Sequence, residues 1–440
     1  MRRVAGVRRV AGVRRVAGVR RVTRTARPRH LLVVGALAHR ELAFRTFAKC
    51  RLRVTLLDGP NPFRHYGGLV DRLIFADITD LPQHPAIRER VRRLHAEDPI
   101  DGVVSLSATG VLLASLIAAD LGLFGLAPDV ARAACNKHEV RRRLSRAGIP
   151  TPWYRAFRTP DELRALVRER GLPLILKPVD GAGSVGVTLL EDPDDIDVAL
   201  AAALQWSELE LFLVEEVLSG TEVSVEVASR RGGHFVAAVT DKRVQLIRGD
   251  FVEMGHTMPS GLAPAQRRAA SEQALAALDA VGVGSGVSHV EVMLTRDGPR
   301  VVEVNARIAG GLIPDLVELA GGTNLYAWLA AQALGRPTPA LVAAGARHAG
   351  VRFIAPEPGV VGALPPYQAM IDALGGVTDF HLRTITGQTI PDLPGNFRRW
   401  GHVLAVTDDR QELERRLATA LAACTPAPAA GPAVGPALGE

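Results

Sequence analysis

The chain is poor in the features that classify a protein most quickly. Its three cysteines in 440 residues, Cys50, Cys135 and Cys424, stand far apart and form no C-x-x-C pair. That argues against a disulfide framework or a zinc site and fits a reducing cytoplasm. No run of eighteen or more apolar residues occurs, so no membrane-spanning helix is expected. No Gly-Lys-Ser/Thr closes a glycine-rich loop, which excludes a Walker A phosphate loop. The turn after the first apolar run, GALAHRE, has a single glycine, where a dinucleotide-binding fold needs G-x-G-x-x-G. Residues 1–30 contain no acid and no lysine, yet hold eleven arginines. Subtracting these from the net charge of +7 leaves −4 for the remainder. The high pI therefore belongs to this segment, and the body of the chain carries no basic signature for nucleic acid.

What is present is globular in composition, 47% hydrophobic and 22% charged, and the length suits two or three compact units. The N-terminus repeats RRVAGV at 2–7, 8–13 and 14–19. Six residues is neither a helical nor a strand period, and three short copies cannot build a solenoid. An arginine-rich, acid-free segment fits a transit peptide or a nucleic-acid arm; residues 1–29 are expected instead to be a disordered extension. The Pro/Ala/Gly-rich run 425–440 is expected to be disordered as well.

Between these tails strands and helices alternate. HLLVVGA (30–36), RVTLLDG (53–59) and DGVVSLS (101–107) read as buried strands, with helices at 39–50 and 110–121, which predicts an α/β unit with a parallel sheet over 30–135. A second unit over 136–338 contains strand-like LPLILKP, LFLVEEVL, EVSVEVA, HFVAAVT, SHVEVML and RVVEVNA, with helices at 160–170, 193–205 and 264–281. A third, 339–424, mixes short strands (GVRFIA, HVLAVT) with a charged helix at 408–422. It has no dense motif and is expected to be structural.

Three segments carry chemistry. In ILKPVDGAGSVGV (175–187) a lysine ends a strand and a loop with Gly181, Gly183, Ser184 and Gly186 follows. Such a loop lets backbone N–H groups approach phosphate oxygens, although an ordinary glycine-rich hairpin has the same look. In LFLVEEVLSGTEVSVEV (211–227) Glu215, Glu216 and Glu222 crowd an apolar stretch, where unpaired carboxylates are costly. They face either a polar ligand such as an adenosine or solvent. In SHVEVMLTRDGPRVVEVNARIAGG (288–311) two strands flank a turn. A three-residue loop Arg296-Asp297-Gly298 sets Glu291 opposite Glu303 and His289 opposite Asn305, with Pro299 in the closing pair as an objection. Opposed Cβ atoms lie about 5 Å apart, so two facing carboxylates repel unless a cation bridges them, and oxygen ligands suit Mg²⁺. A solvated acidic face is the alternative.

The order of lysine with glycine-rich loop, acidic hinge, then Glu…Glu-x-Asn-x-Arg resembles the ATP-grasp superfamily, and most closely its carboxylate–amine ligases, which include bacterial L-amino acid ligases. The resemblance runs from about residue 30 to 335 and more loosely to 422. It implies an α/β ATP-grasp fold with an N-terminal parallel-sheet domain, a central lid and core, and a small C-terminal α+β domain. In NKHEVRRRLSRAGIPTP (136–152) it implies that Lys137 reaches the nucleotide phosphates. Lys177 would contact phosphate and adenine, Gly183, Ser184 and Gly186 would form the lid, Glu215, Glu216 and Leu218 the adenine pocket, and Glu222 the ribose contact. Glu291, Glu303 and Asn305 match the metal ligands, and Arg307 the arginine that steadies the transferring phosphoryl group. FVEMGHTMPSGL (251–262) is similar to the segment facing the amino-acid substrate, which puts Glu253 and His256 there beside Arg307.

The resemblance implies an ATP- and Mg²⁺-dependent enzyme, with Mn²⁺ as an alternative metal, that forms an amide or peptide bond through an acyl phosphate and releases ADP and phosphate. The partners it implies are small carboxylates and amines, amino acids first among them, with no nucleic acid and no membrane, and a homodimer as one option for assembly. Alternatives are a purine-synthesis-type ligase or formyl transfer, in which another acceptor takes the acyl phosphate, and a degenerate ATP-binding protein.

Overall fold

The computed structural model describes residues 27–36, 40–59, 66, 68–230, 233–362 and 364–426. Most of the arginine repeat (1–26) and of the C-terminal run (427–440) lies outside the described residues. Within the expected N-terminal extension, Arg27 and Arg29 are described, and both pair with Asp101.

The first sheet consists of β1 (His30–Ala36), β2 (Arg53–Asp58), β3 (Arg72–Phe75) and β4 (Gly102–Leu106), ordered β3-β2-β1-β4. All three pairings are parallel. The apolar runs do not alternate with polar residues because both faces are covered. Leu31 and Val33 enter one core with the helix Glu41–Lys49. Leu32 and Val34 enter another, with the helices His84–Glu97 and Val111–Asp120.

The second sheet is larger. Its lid half contains β5 (Tyr154–Phe157), β6 (Leu174–Pro178), β7 (Thr188–Leu190) and β8 (Phe212–Glu216), packed on the helices Pro160–Arg170 and Ile196–Leu204. Its core half contains β9 (Thr221–Arg230), β10 (Gly233–Ile247), β11 (Asp250–Met258), β12 (Ser285–Thr295) and β13 (Gly298–Asn305). The full order is β13-β12-β9-β10-β11-β7-β6-β8-β5. Alternation, reset by bulges, divides the core half into two faces. Val223, Val225, Val227, Val290, Val292, Val301 and Val304 point down onto Ala270, Ala274, Ala277 and Leu278 of the helix Pro264–Val281. Each fully buried valine contributes roughly 1.5–3 kcal/mol. The underside thereby anchors the sheet and leaves the upper face free to be polar.

The C-terminal region adds β14 (His348–Ile354), the short β15 (Gly359–Val360), β16 (Asp379–Leu382), β17 (Thr389–Ile390), β18 (Gly401–Thr407) and the helix Arg410–Cys424. Its strands extend the large sheet: β14 pairs with β11 and with β18, and β16 with β18.

The β12–β13 hairpin pairs Glu291 with Glu303 and His289 with Asn305, as expected, but by another route. The loop is one residue shorter, with Thr295 opposite Gly298, and Leu294 rather than Thr295 faces Pro299. Gly298 adopts φ 109°, a conformation open chiefly to glycine. A bulge between Glu291 and Val292 leaves Val302 unpaired and restores the register. The two one-residue offsets cancel.

Candidate active site

The polar face of the core half gathers several of the predicted residues together with others. Glu303 and Asn305 come from β13, His289 and Glu291 from β12, Glu222, Ser224 and Glu226 from β9, and Lys242 from β10. Glu253 and His256 lie on β11, a strand not among those expected from the sequence. Three residues apart, they would face opposite sides of a regular strand. A bulge in the β10–β11 pairing, between Arg243 and Val244, takes up Met254 and turns both inward, with His256 Nε2 3.9 Å from Glu253 Oε2.

Lys242 is the residue that sequence reasoning missed. Its ammonium, 3% exposed, lies 3.0 Å from Glu291 Oε2 and 3.1 Å from Glu253 Oε1, and donates to Glu222 Oε1. Burial works against its charge, but the three carboxylates raise its pKa well above the usual lysine value. One cation cannot serve three acids equally. Burial and repulsion from Glu291 push Glu222 up, whereas for Glu253 burial is outweighed by Lys242, His256 and Arg399, which hold it at about 2. A signal was available: the chain has four lysines among 53 basic residues, and Lys137, Lys177 and Lys242 all reach this site.

Lys137 opens the helix Lys137–Arg146, whose N-cap Asn136 accepts from the Glu139 N–H at 3.0 Å. Its ammonium donates to Gly181 O and lies 3.5 Å from Glu303 Oε1. The two facing acids therefore need no shared cation in this structure: Glu303 has Lys137, and Glu291 has Lys242 and His289. His289 donates to Glu226 at 2.8 Å and approaches Glu291 at 3.1 Å. Burial would discharge the imidazole, but Glu226 and Glu291 raise its pKa to about 10.

Lys177, at the end of β6, lies 2.6 Å from Glu215 Oε2, and Arg141 grips the same carboxylate at 2.7 and 3.1 Å. Burial lowers Lys177 despite Glu215, and the like charge of Arg141 adds to the lowering. Glu215 itself is held at about 2 by the two cations against the pull of burial. Glu216 is directed elsewhere. Its carboxylate accepts from Trp153 N and pairs with Arg170 and Arg300, and its own N–H donates to Trp153 O at 3.0 Å. Leu218, half-buried, follows the end of β8.

Gly183 and Ser184 meet the C-terminal region: Gly183 O accepts from Asn396 N at 3.1 Å, and Gly186 lies beyond this contact in the same loop. Arg307, just past β13, donates from Nη1 to Ile308 O at 3.1 Å, while its buried Nε has no partner among the described residues. Burial lowers its pKa, with Glu303 opposing. Both ring nitrogens of buried His256 also lack partners, and burial keeps it neutral with a pKa of about 3.

Among the described residues no three acidic, histidine or cysteine side chains form a ready-made metal cage. Two cross-strand carboxylates and an amide oxygen, ringed by lysines and an orphaned guanidinium, nonetheless fit an ion that arrives with phosphates. Mg²⁺ is commonly held by one or two carboxylates together with substrate phosphates.

Models of three families match the chain in order: an ATP-grasp N-terminal domain at residues 52–125, an ATP-grasp domain at 170–315 and L-amino acid ligase C-terminal domain 2 at 352–425. The chain belongs to the ATP-grasp superfamily. Its domain set is that of the carboxylate–amine ligases. The uncharacterized protein y4rH of Sinorhizobium fredii is 29% identical over 341 residues, which cover 75% of this chain and 68% of that one. Alanine–anticapsin ligase of Bacillus subtilis is 30% identical over 229 residues, which cover 46% of this chain and 47% of that protein. The chain thus aligns with about half the length of that ligase. The L-amino acid ligase of Bacillus licheniformis has the same fold, with a TM-score of 0.79 at 22% identity over 92% of this chain and all of that one. Among the described residues no helix is long and apolar enough to cross a membrane.

Proposed function

We propose that this enzyme activates a carboxylate as an acyl phosphate with ATP and Mg²⁺, with Mn²⁺ as an alternative metal. The acyl group then passes to an amine, and ADP and phosphate leave. The observation that carries this reading is the crowding of Glu291, Glu303 and Asn305, on the polar face of the core half, among the cations Lys137, Lys177, Lys242 and Arg307. When bound, Mg-ATP supplies the phosphoryl group and part of the charge that offsets its oxygens.

The chain's own residues position and neutralise. Glu291, Glu303 and Asn305 would hold the metal, and Lys137 and Lys177 would hold phosphate oxygens. Arg307, whose buried Nε has no partner among the described residues, would offset charge on the transferring phosphoryl group. The loop at Gly183, Ser184 and Gly186 closes over the site and excludes water, which would otherwise hydrolyse the acyl phosphate. Glu215, Glu216 and Leu218 line the adenine side and Glu222 meets the ribose. Glu253, anionic, suits the ammonium of an amino acid, with neutral His256 beside it.

A phosphate-release screen over amino-acid pairs and dipeptides tests the reading, with nucleotide products resolved by chromatography. ADP and phosphate are expected; AMP and pyrophosphate would replace the acyl phosphate by adenylation. In the same assay Glu303→Gln should lower turnover on the order of 1000-fold, since it removes charge that the metal needs. Its melting temperature should barely change, because Glu303 is 30% exposed and its one ion pair is long. Normal turnover at saturating Mg²⁺ would remove the metal assignment.

A further inference from the structure

We propose that Arg399, delivered by the C-terminal region, completes the substrate side of this site by binding a carboxylate that does not react. The inference rests on the ligase reading above and names a recognition element for it.

The 3₁₀ turn Gly395–Arg398 is fixed on two sides. A Cβ at Gly395 would lie 2.8 Å from Gly183 O, so only glycine permits this approach to the lid loop. Asn396 donates from its backbone to that same Gly183 oxygen at 3.1 Å, and its side-chain oxygen accepts from Glu253 N at 2.9 Å. The next residue but two is Arg399, whose side chain is 19% exposed. Its guanidinium lies 4.2 Å from the centre of the Phe353 ring, and its Nε donates to Asn396 O at 3.2 Å. Nη1 stands 3.5 Å from Glu253 Oε2, yet it is buried and makes no hydrogen bond among the described residues.

His256 meets the same Phe353 edge-on, with ring centroids 5.8 Å apart. Two nitrogen-bearing side chains with unused buried atoms thus converge on one aromatic ring, beside an acid that Lys242 already serves. Leaving buried donors unmade is costly, and a ligand acceptor removes that cost. The planar fork of arginine matches a carboxylate, and a neutral imidazole can add one N–H. Arg399 is grouped with Glu253, whereas Lys137 and Arg307 are grouped with Glu303, where the reacting carboxylate must meet the phosphates. The carboxylate at Arg399 is therefore a second one, with no bond made or broken at it. It belongs either to an acidic side chain of the acyl donor or to the α-carboxylate of an amino-acid acceptor.

The test uses the full chain and the amino-acid pair giving the fastest phosphate release, together with counterparts in which one non-reacting carboxylate is replaced by a carboxamide. Arg399→Met should raise KM for the carboxylate-bearing substrate about 100-fold, while KM for its carboxamide counterpart moves by less than about threefold, because the lost partner is already absent. Arg399→Lys should recover part of the loss. A selective loss with the acceptor assigns the α-carboxylate, and one with the donor assigns the side chain. Equal rises with both substrates, or none, overturn the inference, and Arg399→Lys gives the same comparison if Arg399→Met does not fold. A wild-type chain that releases no phosphate with any pair removes the ligase reading and this inference with it.

Discussion

At Glu215 one carboxylate meets two cations, Arg141 and Lys177, and Arg141 gives two further donors to the carbonyls of Val301 and Val302. Few strands away, Lys242 is divided among Glu222, Glu253 and Glu291, while His256 and Arg307 keep buried atoms with no partner. Both clusters are buried in the same sheet, so burial does not separate them. What separates them is closure. In the first the carboxylate is already satisfied by two cations, one of which, Lys177, is the member proposed to meet phosphate, and the cluster ties the hinge strand β8 to the hairpin β12–β13. The second has more polar groups than the protein can satisfy, which is the condition under which a bound ligand lowers the free energy instead of displacing existing bonds.

The largest effect should come from Lys242. Lys242→Met removes the ammonium that holds three carboxylates in register, and phosphate release should fall on the order of 1000-fold. The melting temperature should fall too, because three acids are left facing one another. Adding Glu222→Gln removes one of them and should restore much of the melting temperature but none of the turnover. Recovery of turnover in the double variant would mean that Lys242 acts only in folding, and the contrast between the clusters would collapse.

The closed cluster should fail differently. Arg141→Met leaves Glu215 and Lys177 to each other but strips two carbonyls of a buried donor, and such losses cost about 3–5 kcal/mol. Urea unfolding should show that loss in the midpoint. Turnover of the folded fraction should fall only about tenfold, since Lys177 still reaches the cleft. A loss of turnover as large as that of Lys242→Met, with unchanged stability, would place Arg141 in the chemistry instead.

The sequence carried the parallel sheet, the valine-flanked acids and the Glu291–Glu303 pairing, because each depends on residues near in the chain. It did not carry the exact loop, since a short turn and a bulge at Val302 trade one residue each. Lys242 was hidden because β10 looked finished at Thr240; beyond it the inward residues are polar, and a strand whose buried face is polar has no apolar alternation to read. Glu253 and His256 needed the bulge at Met254 before their spacing made sense. Arg399 could not be found from local pattern at all. The C-terminal region looked merely structural, and only the pairing of β14 with β11 brings its turn to the lid and to Glu253.

The smallest expected effect lies outside both clusters and shows what burial does to a single acid. Asp315, in the helix Ile313–Leu319, accepts from Tyr326 Oη at 3.1 Å, and Tyr326 Oη accepts from Arg40 Nη1 at 3.0 Å. Burial raises Asp315 from 3.8 to about 7, more than Arg40 and the Tyr326 hydrogen bond lower it, with Glu41 adding to the rise. The folded state therefore binds more protons than the unfolded chain between those two values, and stability attributable to this group declines as pH rises through that window. Asp315→Asn keeps an oxygen for Tyr326 and removes the charge. The full shift would correspond to about 4 kcal/mol, and the residual exposure of Asp315 brings the expected gain to on the order of 2 kcal/mol. The variant should equal the wild type near pH 4 and exceed it increasingly up to about pH 7, with a constant advantage above. Glu215 and Glu253, both held at about 2, lose their contribution at lower pH in either protein and cancel from the difference. Paired thermal melts from pH 4 to 8 measure it. A difference independent of pH would mean that Asp315 ionises as freely in the folded protein as in the unfolded chain, so that Arg40 already completes the partnership.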